Sequence, residues 1–178
     1  MPLAPHSDYY GALVNSIIGQ QLSVKAAASI KQRFRKLFAG KFPTTEEILQ
    51  KSPENLRAVG FSLAKAGYVR NLAQHIIDGK ISFDKLYQQS NEQIIAELTD
   101  VKGVGEWTAH MFLLSCVGRL GVLPSGDLGI KNGIRKLYKL ESAPTPAQIT
   151  KIALANNWRP YESIASHYIW RSLNNSPA

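Results

Sequence analysis

Apolar residues recur at three- and four-residue intervals along nearly the whole chain, and glycine, proline, serine and aspartate collect at the breaks. That period belongs to amphipathic α-helices, and the breaks read as their caps and turns. Ser7 and Asp8 cap a first helix through SDYYGALVNSIIGQ, which ends near Gln20 and Gln21. Ser23 caps a second, SVKAAASIKQRFRKLF, with a basic outer face. Short helices follow at TTEEILQ and PENLRAV, the latter opened by a proline in its first turn. Ser62 begins a longer helix that runs to Asp78 and closes at Gly79. NEQIIAEL leads into a Gly-Val-Gly turn, GEWTAHMFLLSCV leaves it, and DLGIKNGIRKLYKL, PAQITKIALAN and PYESIASHYIWRSL complete the series. Convincing strands, internal repeats and long linkers are absent from this pattern, so the expected fold class is all-α.

The segment VKGVGEWTAHMFLL, Val101 to Leu114, departs from an ordinary helix–turn–helix. Glycines at 103 and 105 permit positive φ and carry no side chain, so consecutive N–H groups can point outward together. Beside the positive end of the next helix, such amides suit a phosphate oxygen, and Lys102 adds a charge. A tight interhelical turn without a ligand is the alternative for Gly-x-Gly taken alone. Stepping the following helix at about 100° per residue divides it into two faces. Ala109, Phe112, Leu113 and Cys116 fall on one and read as core; Trp107, Met111 and Leu114 fall on the other, with His110 at their edge.

Composition narrows the chemistry. Lysine and arginine number 21 against 13 acids, a net charge of +8, which favours a polyanionic partner. The single cysteine, Cys116, rules out an internal disulfide framework and any cysteine-built zinc or iron–sulfur site. The sequence shows neither a secretory leader nor a long apolar span, so the expected location is cytoplasmic (nucleoid) or nuclear rather than secreted or in a membrane. His6, His75, His110 and His167 make no metal-ligand pattern.

Downstream, LPSGDLGIKNG places Asp127 behind a Pro-Gly turn and at the head of a helix. Aspartate there is a favoured N-cap, and the same amides and helix dipole keep it ionised. An anionic carboxylate beside an apolar pocket can stabilise a developing cation or orient a water. On the last helix, Tyr161, Ile164, Ala165, Tyr168 and Ile169 form the expected apolar stripe. Trp170 faces the other way among Ser163, Ser166 and His167, either as a surface residue or as part of a cleft wall.

With these segments in hand, the chain resembles the helix-hairpin-helix DNA glycosylases that carry a Gly/Pro-rich loop followed by an aspartate. It is most similar to their alkylpurine branch, the DNA-3-methyladenine glycosylase II enzymes. SIIGQQLSVKAAASI matches that branch's early signature, VKGVGEWTAHMFL its hairpin, LPSGDLGIKNG its catalytic loop and WRPYESIASHYIWR its last helix. The resemblance implies a two-lobed helical bundle with a cleft between the lobes. In one departure from relatives, no N-terminal β-rich domain precedes the early signature, so a single domain over 1–178 is expected, as a minimal version of the family or a truncated one.

The same resemblance implies base excision repair: a monomer that binds double-stranded DNA containing alkylated bases, flips the damaged purine out and hydrolyses its glycosidic bond. Asp127 would be the catalytic carboxylate. Trp107, Met111, Leu128 and Trp170 would line the base pocket. Gln21 would fill the gap left by the flipped nucleotide, and Ser23, Lys102, Gly103, Val104 and Gly105 would hold the DNA. Carbonyls of Thr99, Val101 and Val104 match those that hold a sodium or potassium ion in family hairpins; no other cofactor and no iron–sulfur cluster is expected. Bifunctional relatives have a nucleophilic lysine where this chain has Trp107, so AP lyase activity is not expected. Some relatives carry a second aromatic where Met111 stands, and certain ones an aromatic in place of Leu128. Two other readings stay open: a helix-hairpin-helix module that binds lesions without cutting, and a glycosylase for another damaged base.

Overall fold

The computed structural model describes residues 8–174; Ser7 and His6 lie outside them. Among the described residues every regular element is helical. The elements are α1 (Tyr9–Gly19), α2 (Val24–Leu37), α3 (Thr45–Gln50), α4 (Pro53–Ala58), α5 (Leu63–Ile77), α6 (Asn91–Thr99), α7 (Glu106–Phe112), α8 (Leu128–Leu137), α9 (Pro146–Ala155) and α10 (Glu162–Asn174). A 3₁₀ turn at Phe83–Gln88, which the apolar period did not signal, joins α5 to α6. Two compact units divide the chain, the first ending at Ala109 and the second starting at His110, a boundary inside α7.

Local chemistry starts most of these helices. Asp8, Ser23, Thr44, Ser52, Ser62, Ser90, Asp127 and Thr145 each accept a backbone N–H from the first turn that follows. Thr44, Ser52, Ser90 and Thr145 complete reciprocal capping boxes.

In the first unit α5 packs against α1, α3 and α4. Leu13, Ile17 and Ile18 of α1, Phe34 of α2 and Leu72 of α5 are fully buried. Phe34 meets Phe38 and Phe42 edge-on and stacks on Phe61. Three basic side chains close helix ends here. Arg33 Nε donates to the Val59 carbonyl after α4 (2.9 Å), and Lys65 Nζ donates to the carbonyls of Ile18 (2.9 Å) and Gln20 (2.6 Å) after α1. Arg70 Nη1 reaches the carbonyls of Ile48 (3.3 Å), Leu49 (2.9 Å) and Lys51 around the end of α3. Part of the positive charge therefore also serves orphan carbonyls, Arg33 among the residues of the basic outer face. Arg70→Met, which keeps the stem but removes the donors, is expected to lower the unfolding free energy by about 2 kcal/mol in urea titration.

In the second unit α8 packs against α10 around Ile130, Ile134, Ile149 and Ile169, with Leu123, Ile152, Trp158 and Trp170 at the margin of that core. Two expectations from periodicity are corrected. Beyond Phe112 the helix winds as a π turn, Leu113–Val117, before Gly118 ends it. Leu114 is buried alongside Leu113, while Trp107 is exposed and Met111 half-buried. On α10 the inward face is Glu162, Ser163, Ser166 and Ile169, while Tyr161 and Tyr168 are exposed. The buried serines satisfy their hydroxyls locally: Ser163 Oγ donates to Arg119 O (2.6 Å) and accepts from Val122 N (3.2 Å), and Ser166 Oγ donates to Glu162 O (2.8 Å). Small polar residues thus form much of the packed face of α10, which the apolar stripe was expected to supply.

Candidate functional site

The first unit brings together the loop after α1 and the turn between α6 and α7. Val101 and Val104 are buried and anchor that turn, with Val104 N donating to Val101 O at 3.0 Å. Gly103, third of the four residues, has φ 88°, as a type II turn requires. Its missing Cβ is also needed, because an added one would stand 2.1 Å from Cδ2 of the Tyr68 ring. Gly105 differs: no protein atom lies within 4 Å of its Cβ position, and it shows no left-handed φ. Only the first glycine of the pair is demanded by the fold. The second leaves an open, exposed backbone at the start of α7, where its carbonyl accepts from Ala109 N at 3.0 Å.

Helix α5 is the shelf for this hairpin. Asn71 Oδ1 accepts from Lys102 N at 2.8 Å, leaving the Lys102 side chain exposed. His75, buried at 8% exposure, places Nδ1 2.9 Å from Asn71 O and Nε2 3.0 Å from the Asp100 carboxylate. Gln20 Nε2 donates to Gly103 O at 2.7 Å, bridging the two loops. A cavity of about 450 Å³ opens there, lined by Gln20, Gln21, Lys65, Tyr68 and Gly103–Gly105. Gln21 is exposed and holds φ 56°, in the left-handed region that a glutamine seldom adopts. Ser23, also exposed, uses its hydroxyl to accept from Ala26 N at 3.2 Å.

Thr99 is exposed, with its hydroxyl donating to Ile95 O and Ala96 O. The carbonyls of Thr99, Val101 and Val104 are hard oxygen donors of the kind that suits a monovalent cation, and Val101 O already accepts one N–H. Trp107 is 52% exposed, a large apolar surface left in solvent one turn from the hairpin.

The second unit holds the carboxylate. Asp127 N donates to Pro124 O at 2.9 Å, which fixes the loop, and Asp127 then caps α8. Its Oδ1 accepts both Ile130 N (2.8 Å) and the indole Nε1 of Trp170 (2.8 Å). Two N–H donors on a single oxygen hold the carboxylate in one orientation. Gly129 makes this contact available: a Cβ there would lie 2.9 Å from Trp170 Cδ1 and 3.0 Å from Asp127 Oδ1. His167 meets the indole edge-on with centroids 5.5 Å apart, and burial pushes its imidazole below the usual histidine value. Leu128 is 69% exposed directly beside Asp127, and Met111 is half-buried.

The structure therefore pairs Asp127 with Trp170, and Gln21 with the hairpin glycines. Sequence reading missed Gln20, Lys65, Tyr68, Asn71 and His75 as supports. Their partners are distant in the chain, Gln20 from Gly103 by 83 positions and Lys102 from Asn71 by 31, so no local motif marked them.

Comparison with known proteins identifies the family. Residues 14–160 match the family model described as HhH-GPD superfamily base excision DNA repair protein. DNA-3-methyladenine glycosylase 1 of Schizosaccharomyces pombe is 36% identical over 165 residues, covering 92% of this chain and 72% of that protein. A crystal structure of a DNA-3-methyladenine glycosidase from Bacillus halodurans superposes with a TM-score of 0.86 at 35% identity, covering 97% of this chain and 78% of that one. The Schizosaccharomyces pombe 3-methyladenine DNA glycosylase Mag1 in complex with abasic DNA gives 0.83 at 34% identity, covering 99% and 86%. The chain belongs to the HhH-GPD superfamily of base excision DNA repair proteins.

Proposed function

We propose that this protein is a monofunctional glycosylase of the type II class that removes 3-methyladenine and 7-methylguanine from duplex DNA by hydrolysis. The observation that carries this reading is the Asp127 carboxylate, whose Oδ1 accepts both its capping amide and the Trp170 indole. A 3- or 7-alkylated purine is cationic. When its bond to C1′ breaks, both electrons pass to the base, which leaves neutral, and positive charge develops on the sugar. Asp127 stabilises that charge and orients the water that adds to C1′, accepting its proton. No strong general acid is required, because the leaving base is already activated.

Trp107 and Trp170 supply indole faces for the cationic base, each contact worth about 0.5–2 kcal/mol through cation–π attraction. Met111 and Leu128 supply apolar wall. The hairpin grips the phosphate backbone through the amides of Gly103 and Gly105 with the Lys102 side chain, the Lys102 and Val104 amides being bonded to Asn71 and Val101, and Gln21 enters the duplex at the vacated position, with Ser23 beside it. Oxygen donors at Thr99, Val101 and Val104 would hold a sodium or potassium ion that adds positive charge at the hairpin. Trp107, in place of the lysine of bifunctional relatives, favours hydrolysis over a Schiff base.

Incubation of the protein with methylated duplex DNA tests the reading. Release of 3-methyladenine and 7-methylguanine without strand cleavage or a borohydride-trapped adduct is expected. Tight duplex binding with no base released would make the protein a lesion-binding module, and faster release of oxidised guanine would overturn the substrate. Trp170→Phe keeps an aromatic ring, though a smaller one, and removes the donor to Asp127. It is expected to slow single-turnover release roughly tenfold, with a change of about 1 kcal/mol in stability.

A further inference from the structure

Gln20 stands next to Gln21 yet has a separate set of contacts. Its amide nitrogen donates to Gly103 O at 2.7 Å, across 83 positions of sequence. Its own carbonyl accepts Lys65 Nζ at 2.6 Å, and the same ammonium donates to Ile18 O at 2.9 Å. The side chain is thus held by the hairpin and the main chain by α5. The carbonyl of Gln20 shares a peptide plane with the N–H of Gln21, so a bond to that oxygen restricts the orientation from which φ of Gln21 starts. Gln21 sits at φ 56°. A left-handed residue with a Cβ persists only where its surroundings over-determine it. Partial burial lowers the Lys65 ammonium below the usual lysine value.

We propose that Gln20 is a positioning residue that couples the hairpin to Gln21, so that gripping the DNA backbone and presenting the inserted side chain are one rigid operation. This rests on the reading of Gln21 and the hairpin given above. Gln20 itself touches neither the base nor the sugar; it acts through Gln21. The contact explains why two successive glutamines follow α1: the first fixes the loop, and the second is left exposed by it.

The test uses the full chain and a duplex in which 2-aminopurine flanks a tetrahydrofuran abasic analogue, so that side-chain insertion is read by fluorescence without any base release. Gln20→Met matches the side chain in length but lacks the amide. It should reduce the preference for the abasic over the undamaged duplex roughly tenfold and suppress the fluorescence change, with undamaged-duplex affinity held within about twofold. In a Gln21→Ala background the same substitution should have no further effect on that preference. Lys65→Met releases the Gln20 peptide from α5 without altering the hairpin, and should give the same selective loss even if Gln20→Met folds poorly. A wild-type preference in Gln20→Met, or an equal loss with and without Gln21, would overturn the coupling. A wild type that inserts into the abasic duplex but releases no methylated base would defeat the glycosylase reading alone.

Discussion

Asp127→Asn is expected to reduce base release at least a hundredfold in single turnover while leaving the fold and duplex affinity in place. The substitution is close to isosteric. An asparagine oxygen still accepts Ile130 N and Trp170 Nε1, the two donors now on Oδ1, and asparagine caps helices about as well as aspartate. Only the negative charge is lost. Preorganised electrostatic groups aimed at charge that develops in a transition state contribute about 10²–10³ in rate, so the carboxylate should account for an effect of that size. Rates should be measured with protein in excess over methylated duplex, beside undamaged-duplex affinity and thermal midpoint. A variant within about tenfold of wild type would remove Asp127 from the chemistry. One that lost duplex affinity in proportion would make it a binding residue.

The second large effect is on the hairpin. Gly103→Ala should lower the unfolding free energy by about 2–5 kcal/mol, from two separable causes. At φ 88° an alanine is forced into a region that its Cβ disfavours. That Cβ would also meet the Tyr68 ring at 2.1 and 2.2 Å, at Cδ2 and Cγ, atoms near the stem of the side chain with little room to retreat. Removing the ring in Tyr68→Ala should relieve the second cause but not the first, so the double variant should be more stable than the sum of the singles implies. Simple additivity in urea titration would show that the backbone relaxes and that the close approach is unimportant. Duplex affinity of Gly103→Ala should fall as well, since the displaced residue belongs to the hairpin that is proposed to grip the backbone.

These two positions also show what could be read from the chain alone. An N-cap is a contact across three residues, so Ser23, Ser62 and Asp127 announced their helices from neighbouring letters. Gly103 was legible as a turn for the same reason. Its contact with Tyr68 was not, because nothing near residue 68 signals which backbone will lie against that ring. The carboxylate was recognisable, whereas the donor that orients it stands 43 positions away. Hydropathy failed on α10, where Ser163 is buried by bonding to backbone 41 and 44 positions earlier. The change of winding at Leu113–Val117 was not legible either, because a helical period presumes that the winding stays regular.

Gln21 and Gly103 are both held left-handed, in loops tied to α5 by Lys65 and Tyr68. A surface set in advance loses little entropy when it meets DNA, and it also has little means of adapting to what it meets. On the proposed reading it would seize undamaged and damaged backbone alike, and would do so quickly. Discrimination would then fall to the later event in which a base leaves the stack, where damage weakens the stacking and pairing to be broken. Selectivity should accordingly be visible in the rate of extrusion and excision, and nearly invisible in the strength of first contact.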